Sequence, residues 1–200
     1  MKYLLIIVPA AALLFMLPFI RCFLKRLSLY GGIKSVCRKN GMTFVPAHPF
    51  WIFGNIKSGR CDFHIVGGSI LYRVKLAGSI SRNNLYSFRN SGIYLVRPLM
   101  WAISYTRHAI KYEAKNKRPF DFEYGMRDEW RGHEITDILL FNPAPGGVSI
   151  SMKDGTMKGI GNGDYTGEAY FYNKTGFLKL LKSKGVSDSE RPQSLLTEAE

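Results

Sequence analysis

Acidic residues are missing from the first 61 positions; Asp62 is the first carboxylate of a 200-residue chain whose formal net charge is +13. Residues 1–120 carry nineteen Lys or Arg against Asp62 and Glu113, whereas residues 121–200 carry nine against thirteen acids, so the two parts stand at +17 and −4. A split of this kind implies that the first part meets an anionic surface, either lipid headgroups or nucleic acid. Cysteine is also scarce: Cys22, Cys37 and Cys61 are odd in number and irregular in spacing, which suits reduced thiols in a cytosolic setting better than a disulfide framework. No second ligand pair at zinc-site spacing follows Cys61-Asp62-Phe63-His64, and Cys61 reads as a small core residue. His133-Glu134 lacks the second histidine of a zinc-protease helix, and His48 and His108 have no partner near them in sequence. The glycines at 159, 161, 163 and 167 read as turns, because Thr166 takes the sixth position of a G-x-G-x-x-G frame begun at Gly161. No metal and no cofactor is expected, and no complete catalytic motif is present.

What the chain does have is an apolar run without charge over residues 3–20, followed at once by Arg21, Lys25 and Arg26. At about 1.5 Å per residue the run makes a helix of roughly 27 Å, close to the thickness of a bilayer's hydrocarbon core. Pro9 and Pro18 predict a kink, not a break, since membrane helices re-satisfy the freed carbonyls. A cleaved secretory signal is the rival reading. Its one small-x-small site, Ala10 and Ala12, lies inside the run, and Arg21 before Cys22 does not suit a lipoprotein signal. An uncleaved transmembrane anchor over residues 1–26 is therefore expected.

Arg21, Lys25, Arg26, Lys34, Arg38 and Lys39 follow the run, and only Lys2 and the amino terminus oppose them. Basic residues beside a span stay on the cytoplasmic side. This predicts a single-pass protein of the cell membrane with its N-terminus outside and its C-terminal domain in the cytoplasm. The same six side chains are candidate contacts for anionic lipid headgroups.

Beyond the anchor the sequence divides into a basic juxtamembrane segment at 27–41, one domain at 42–184 and a polar tail at 185–200 expected to be disordered. Gly31-Gly32 is a candidate end for the juxtamembrane helix, and Gly41 marks a stop. Phe50, Trp51 and Phe53 are expected to pack against the core, with a place at the headgroup level as the other reading. Residues 61–66 and 69–76 read as a hairpin about Gly67-Gly68, and 81–88 and 93–96 as two more strands of one antiparallel meander. Pro98 suits the first position of a central helix running to about 117. On it Arg107, His108, Lys111 and Lys115 recur at helical spacing, as an ordinary solvated face or a partner-binding stripe. Arg82, Arg89, Arg97 and Tyr86 are candidates for extending that stripe toward nucleic acid. Residues 120–133 read as an irregular aromatic loop, 135–141 as a buried strand, 148–152 and 169–172 as further strands, and 175–184 as a short C-terminal helix. Asn173-Lys174-Thr175 has the form of a glycosylation acceptor and is read as a turn. The fold class is α+β.

Asp62 opens one predicted strand, and Lys75 lies near the end of its hairpin partner within Tyr72-Arg73-Val74-Lys75-Leu76. With a helix and the strand at 138–141 following in order, about half of the soluble region resembles the core of the PD-(D/E)xK nucleases, nuclease-related (NERD) domains in particular. The resemblance implies a first acid at Asp62 and an acid-x-lysine pair ending at Lys75, but Arg73 stands where that pair has its acid. Two carboxylates are needed to hold Mg²⁺ while a lysine positions the attacking water. The resemblance therefore implies a decayed site, with Asp62 and Lys75 expected as a surface strand pair. Glu113 and Asp137 are the candidates for a second carboxylate. Two functions follow: a non-catalytic binding or scaffold domain at the cytoplasmic membrane surface, or a membrane-tethered nuclease-related domain.

Overall fold

A computed structural model describes residues 4–54, 56, 59–79, 84–89, 92–98, 107–112, 120–152 and 156–184. The first element, α1, runs from Leu4 to Lys39 as one helix. Gly31-Gly32 does not end it, because Gly32 lies where an added Cβ would come within 3.1 Å of Leu178 on the C-terminal helix. The glycine admits close packing there. The helix ends at Gly41, whose φ of 65° turns the chain while the Met42 N–H donates to the Cys37 carbonyl at 2.9 Å. Among the described residues no helix is long and apolar enough to cross a membrane. The side chains of residues 4–15 and the whole of 1–3, where most of the apolar run lies, fall outside the described residues.

Strands β1 (Thr43–Pro46), β2 (Phe63–Gly67) and β3 (Ile70–Ala77) form an antiparallel meander. Gly67 pairs with Ile70, so the turn falls at Gly68-Ser69, with Gly68 at φ 54°. Two parallel strands extend the sheet, β7 (Glu134–Phe141) beside β3 and β10 (Tyr170–Asn173) beside β7, in the order β1-β2-β3-β7-β10. The second sheet contains β4 (Leu85–Arg89), β5 (Gly92–Pro98), β6 (Arg107–Tyr112), β8 (Gly147–Ser151) and β9 (Met157–Gly159), in the order β6-β5-β4-β8-β9. β4, β5 and β6, the next strands after Ala77, thus leave the first meander and found a sheet with β8 and β9. The last element, α2, spans Lys174–Lys184; Asn173 Oδ1 accepts the Gly176 N–H at 2.9 Å, so the acceptor-like triplet is a helix cap.

The described part of the expected central helix is strand. Pro98 ends β5, and Arg107–Tyr112 is β6, paired antiparallel with β5. The backbone alternation of a strand has period two, so the helical spacing that joined Arg107, His108 and Lys111 no longer applies. Lys115 and Glu113 lie outside the described residues.

Residues of β7 face both ways, as a central parallel strand requires. Ile138 and Leu140 join Leu29, Ile33, Phe63, Val74, Phe177 and Leu181 under the two helices. Leu139 and Phe141 join Tyr86, Phe88, Phe120 and Phe171 between the sheets. The layers are helices, mixed sheet, second sheet, an α+β arrangement. Leu29, Ile33, Val36 and Cys37 make residues 27–41 part of the domain's core as well as its link to the N-terminal run.

Candidate functional site

Alternation on β3 places Arg73 and Lys75 on the face opposite Val74, toward the second sheet. The Asp62 N–H donates to the Val74 carbonyl at 2.9 Å, which sets its carboxylate beside Lys75. Lys75 Nζ donates to Asp62 Oδ2 at 2.8 Å and to the Arg60 carbonyl at 2.7 Å; the Leu76 N–H donates to the same Oδ2 at 2.7 Å. His48 Nε2 lies 3.2 Å from Asp62 Oδ1. The pair is not on the surface, as alternation alone suggested: the two side chains are 0 % and 1 % exposed, and His48 at 23 % is their route toward solvent. Burial pushes the Asp62 carboxyl above its usual range against these donors, and burial pushes the Lys75 ammonium below its own.

Arg26 connects this centre to α1. Its guanidinium donates to the carbonyls of Asn142 (3.2 Å), Ile52 (3.0 Å) and Gly54 (2.8 Å). Gly54 is pressed close, since a Cβ there would meet Leu76 O at 2.7 Å and Asp62 Oδ2 at 3.1 Å. Arg26 is therefore an internal clamp and not a lipid contact, while Arg21, Lys25, Lys34, Arg38 and Lys39 are exposed.

Two residues before Lys75, Arg73 binds Asp137 on β7 through two contacts of 2.6 and 2.9 Å and also meets Glu123. The register pairs Arg73 directly with Asp137. Asp137 is thereby committed to the arginine, and among the described residues no three or more His, Cys, Asp or Glu side chains are grouped to hold a metal ion. The loop at 120–133 covers this face: Trp130 lies 5.0 Å from His64, Tyr124 is 6.2 Å from His48, and the Arg60 guanidinium stacks over Tyr124 at 4.9 Å. The four aromatics among acids in this segment are the one sequence feature that points to such a cover.

Cys61 is buried, with Sγ 3.7 Å from His64 Nε2. Burial, helped by the Asp62 charge, pushes its thiol up to about 12, so it is no nucleophile. Burial and the charges of Arg73 and Arg127 pull His64 down to about 4, which leaves it neutral. Tyr86 is also buried, 4.9 Å from Phe141, and is not available to stack on a base. Trp51 packs against Tyr30, Phe44 and Phe63, but Phe50 and Phe53 are 69 % and 60 % exposed, because a short 3₁₀ turn aims only Trp51 inward.

Chemically the centre is a closed ion-pair network with one partly exposed imidazole. Comparison with known family models, curated proteins and solved structures finds no match to this chain.

Proposed function

We propose that the chain is a membrane-anchored binding domain that works at the cytoplasmic surface without catalysis. The observation that carries this reading is the continuity of α1, which runs from the apolar segment into the core of the domain. Met16, Phe19, Ile20 and Leu24 on its described part are 41 to 57 % exposed, a run of apolar side chains that water does not favour and lipid does. With α1 unbroken, the basic residues no longer form one surface patch. Arg21 and Lys25 stand within about 8 Å of the end of the run along the helix axis, whereas Arg38 and Lys39 stand roughly 27 Å beyond it, well past a Debye length of about 8 Å. Headgroup attraction thus belongs to Arg21 and Lys25. Alkaline carbonate should leave the full chain in the membrane pellet and release a chain lacking residues 2–20; release of both contradicts the anchor.

A second reading is favoured by one observation, the 2.8 Å contact of Asp62 with Lys75 on a meander whose last strand is followed in the sheet by a parallel one. The strand order suits a relative of the nuclease-related fold, with β4, β5 and β6 lying in the stretch where the resemblance expected a helix. Arg73, tied to Asp137 and Glu123, then fills the place of the missing metal ligand. The chain should not cleave DNA or RNA with Mg²⁺ or Mn²⁺, and Arg73→Glu should create Mn²⁺ binding. Cleavage by the native chain that Asp62→Ala abolishes would put the nuclease reading first.

A further inference from the structure

An open groove of about 500 Å³ lies where the C-terminal ends of β7 and β10 meet α1, at the end of the domain nearest the apolar run. Lys25 and Lys174 are the charged residues of its lining, and no carboxylate is among the lining residues. Ser28, Asn142, Asn173 and Thr175 add neutral polar groups. Lys174 Nζ donates to Ser28 Oγ at 2.8 Å, which fixes the amine between α1 and α2 at the mouth. Asn142 ties the lining to α1: its Nδ2 donates to the Lys25 carbonyl at 2.9 Å, and its carbonyl accepts from Arg26.

Two lysines lining one groove with the hydroxyls of Ser28 and Thr175, and no carboxylate among the lining residues, suit an anion with several acceptor oxygens. Depth narrows the source. Lys25 is five residues past Ile20, about 7–8 Å along α1, and the polar layer outside a bilayer's hydrocarbon core is roughly 5–8 Å thick on each side. At the same height on the other side of α1, Phe53 stacks on Phe23 at 5.5 Å with its ring exposed, as aromatic rings do at the lipid interface.

We propose that this groove is a phosphate-binding site, filled by the phosphate of a lipid headgroup or of a soluble phosphate ester. The lipid source rests on the membrane reading above; the phosphate chemistry does not. The full chain in neutral detergent micelles should bind glycerol 1-phosphate or inorganic phosphate, seen as shifts of the Lys25 and Lys174 amine resonances or as heat on titration. In nanodiscs, phosphatidic acid or phosphatidylglycerol should be retained over phosphatidylcholine when the particles are analysed by native mass spectrometry. The pair Lys25→Gln/Lys174→Gln should weaken either binding at least tenfold, and the matched pair Lys34→Gln/Arg38→Gln, which removes the same charge outside the groove, less than twofold. Retention of anionic lipid assigns the headgroup; binding of soluble phosphate without lipid retention keeps the site and assigns a free ester. Binding by neither, or equal losses in the two variant pairs, overturns the proposal. A chain that binds soluble phosphate but does not enter nanodiscs refutes the anchor and leaves the groove standing.

Discussion

Replacing Lys75 by methionine removes one member of the buried pair and leaves the other in place. The amine is lost from contacts of 2.8 Å to Asp62 and 2.7 Å to the Arg60 carbonyl, in a position with no solvent exposure. Of its hydrogen bonds Asp62 then keeps those with the Leu76 N–H and His48, with the Arg26 charge nearby, and burial drives it to take up a proton instead. Neutralising a carboxyl of ordinary pKa, ~3.9, costs about 4 kcal/mol at pH 7, within the roughly 3–5 kcal/mol lost when a buried pair is broken. At pH 5 the same step costs about 1.5 kcal/mol, so the penalty of Lys75→Met shrinks as the solution becomes more acid. The double variant Asp62→Asn/Lys75→Met keeps an acceptor for the Leu76 N–H and buries no unpaired charge, and it should lie within about 1 kcal/mol of the native chain. Urea unfolding of the full chain in neutral micelles, followed by the fluorescence of buried Trp51 and Trp130, measures all three at both pH values. A loss below about 1 kcal/mol for Lys75→Met at pH 7, or a double variant as unstable as the single one, refutes the reasoning.

Arg26→Gln gives up charge-assisted hydrogen bonds to three carbonyls and should cost about 2–4 kcal/mol in the same unfolding assay, against at most ~0.5 for exposed Arg38→Gln. His64 is held neutral, near about 4, while an unfolded histidine titrates near ~6.5; its contribution is full above the higher value and is lost as pH falls toward the lower. His64→Gln should therefore flatten the stability curve between pH 7 and pH 4.5 by roughly 2 kcal/mol, and an unchanged slope counts against a neutral buried ring. Iodoacetamide at pH 8 should label half-exposed Cys22 in the folded chain and reach Cys37 and Cys61, pushed up to about 11 and about 12, only in urea; mass spectrometry decides it.

Local signals in the sequence carried part of this fold. The hairpin of β2 and β3 was legible from alternation and paired glycines, β7 from the apolar run Ile138-Leu139-Leu140-Phe141, and α2 from Phe177 and Leu181 one turn apart. Elements that owe their form to distant partners were not. β6 carries Ala109-Ile110 between basic residues after a proline, which fits a helix as well as a strand, and only pairing with β5 decides it. Lys75 read as a surface residue because β3's central place depends on β7, some sixty residues later in the chain. Arg26 read as one more juxtamembrane charge because its three carbonyl partners lie on two other segments, around Gly54 and Asn142. The candidate site was legible as residue types, Asp62, Lys75 and the out-of-place Arg73, but its closure by Asp137, Glu123 and the 120–133 loop is tertiary.

Sidedness tests the membrane account most directly, and native Cys37 is a poor reporter because it is buried in the core. Asp128, whose side chain is 90 % exposed, is a better position. In a Cys22→Ser background, Asp128→Cys should be labelled by a membrane-impermeant maleimide only after cells are opened, while a cysteine added before Met1 should be labelled in intact cells. Labelling of the Asp128→Cys chain in intact cells would contradict the orientation.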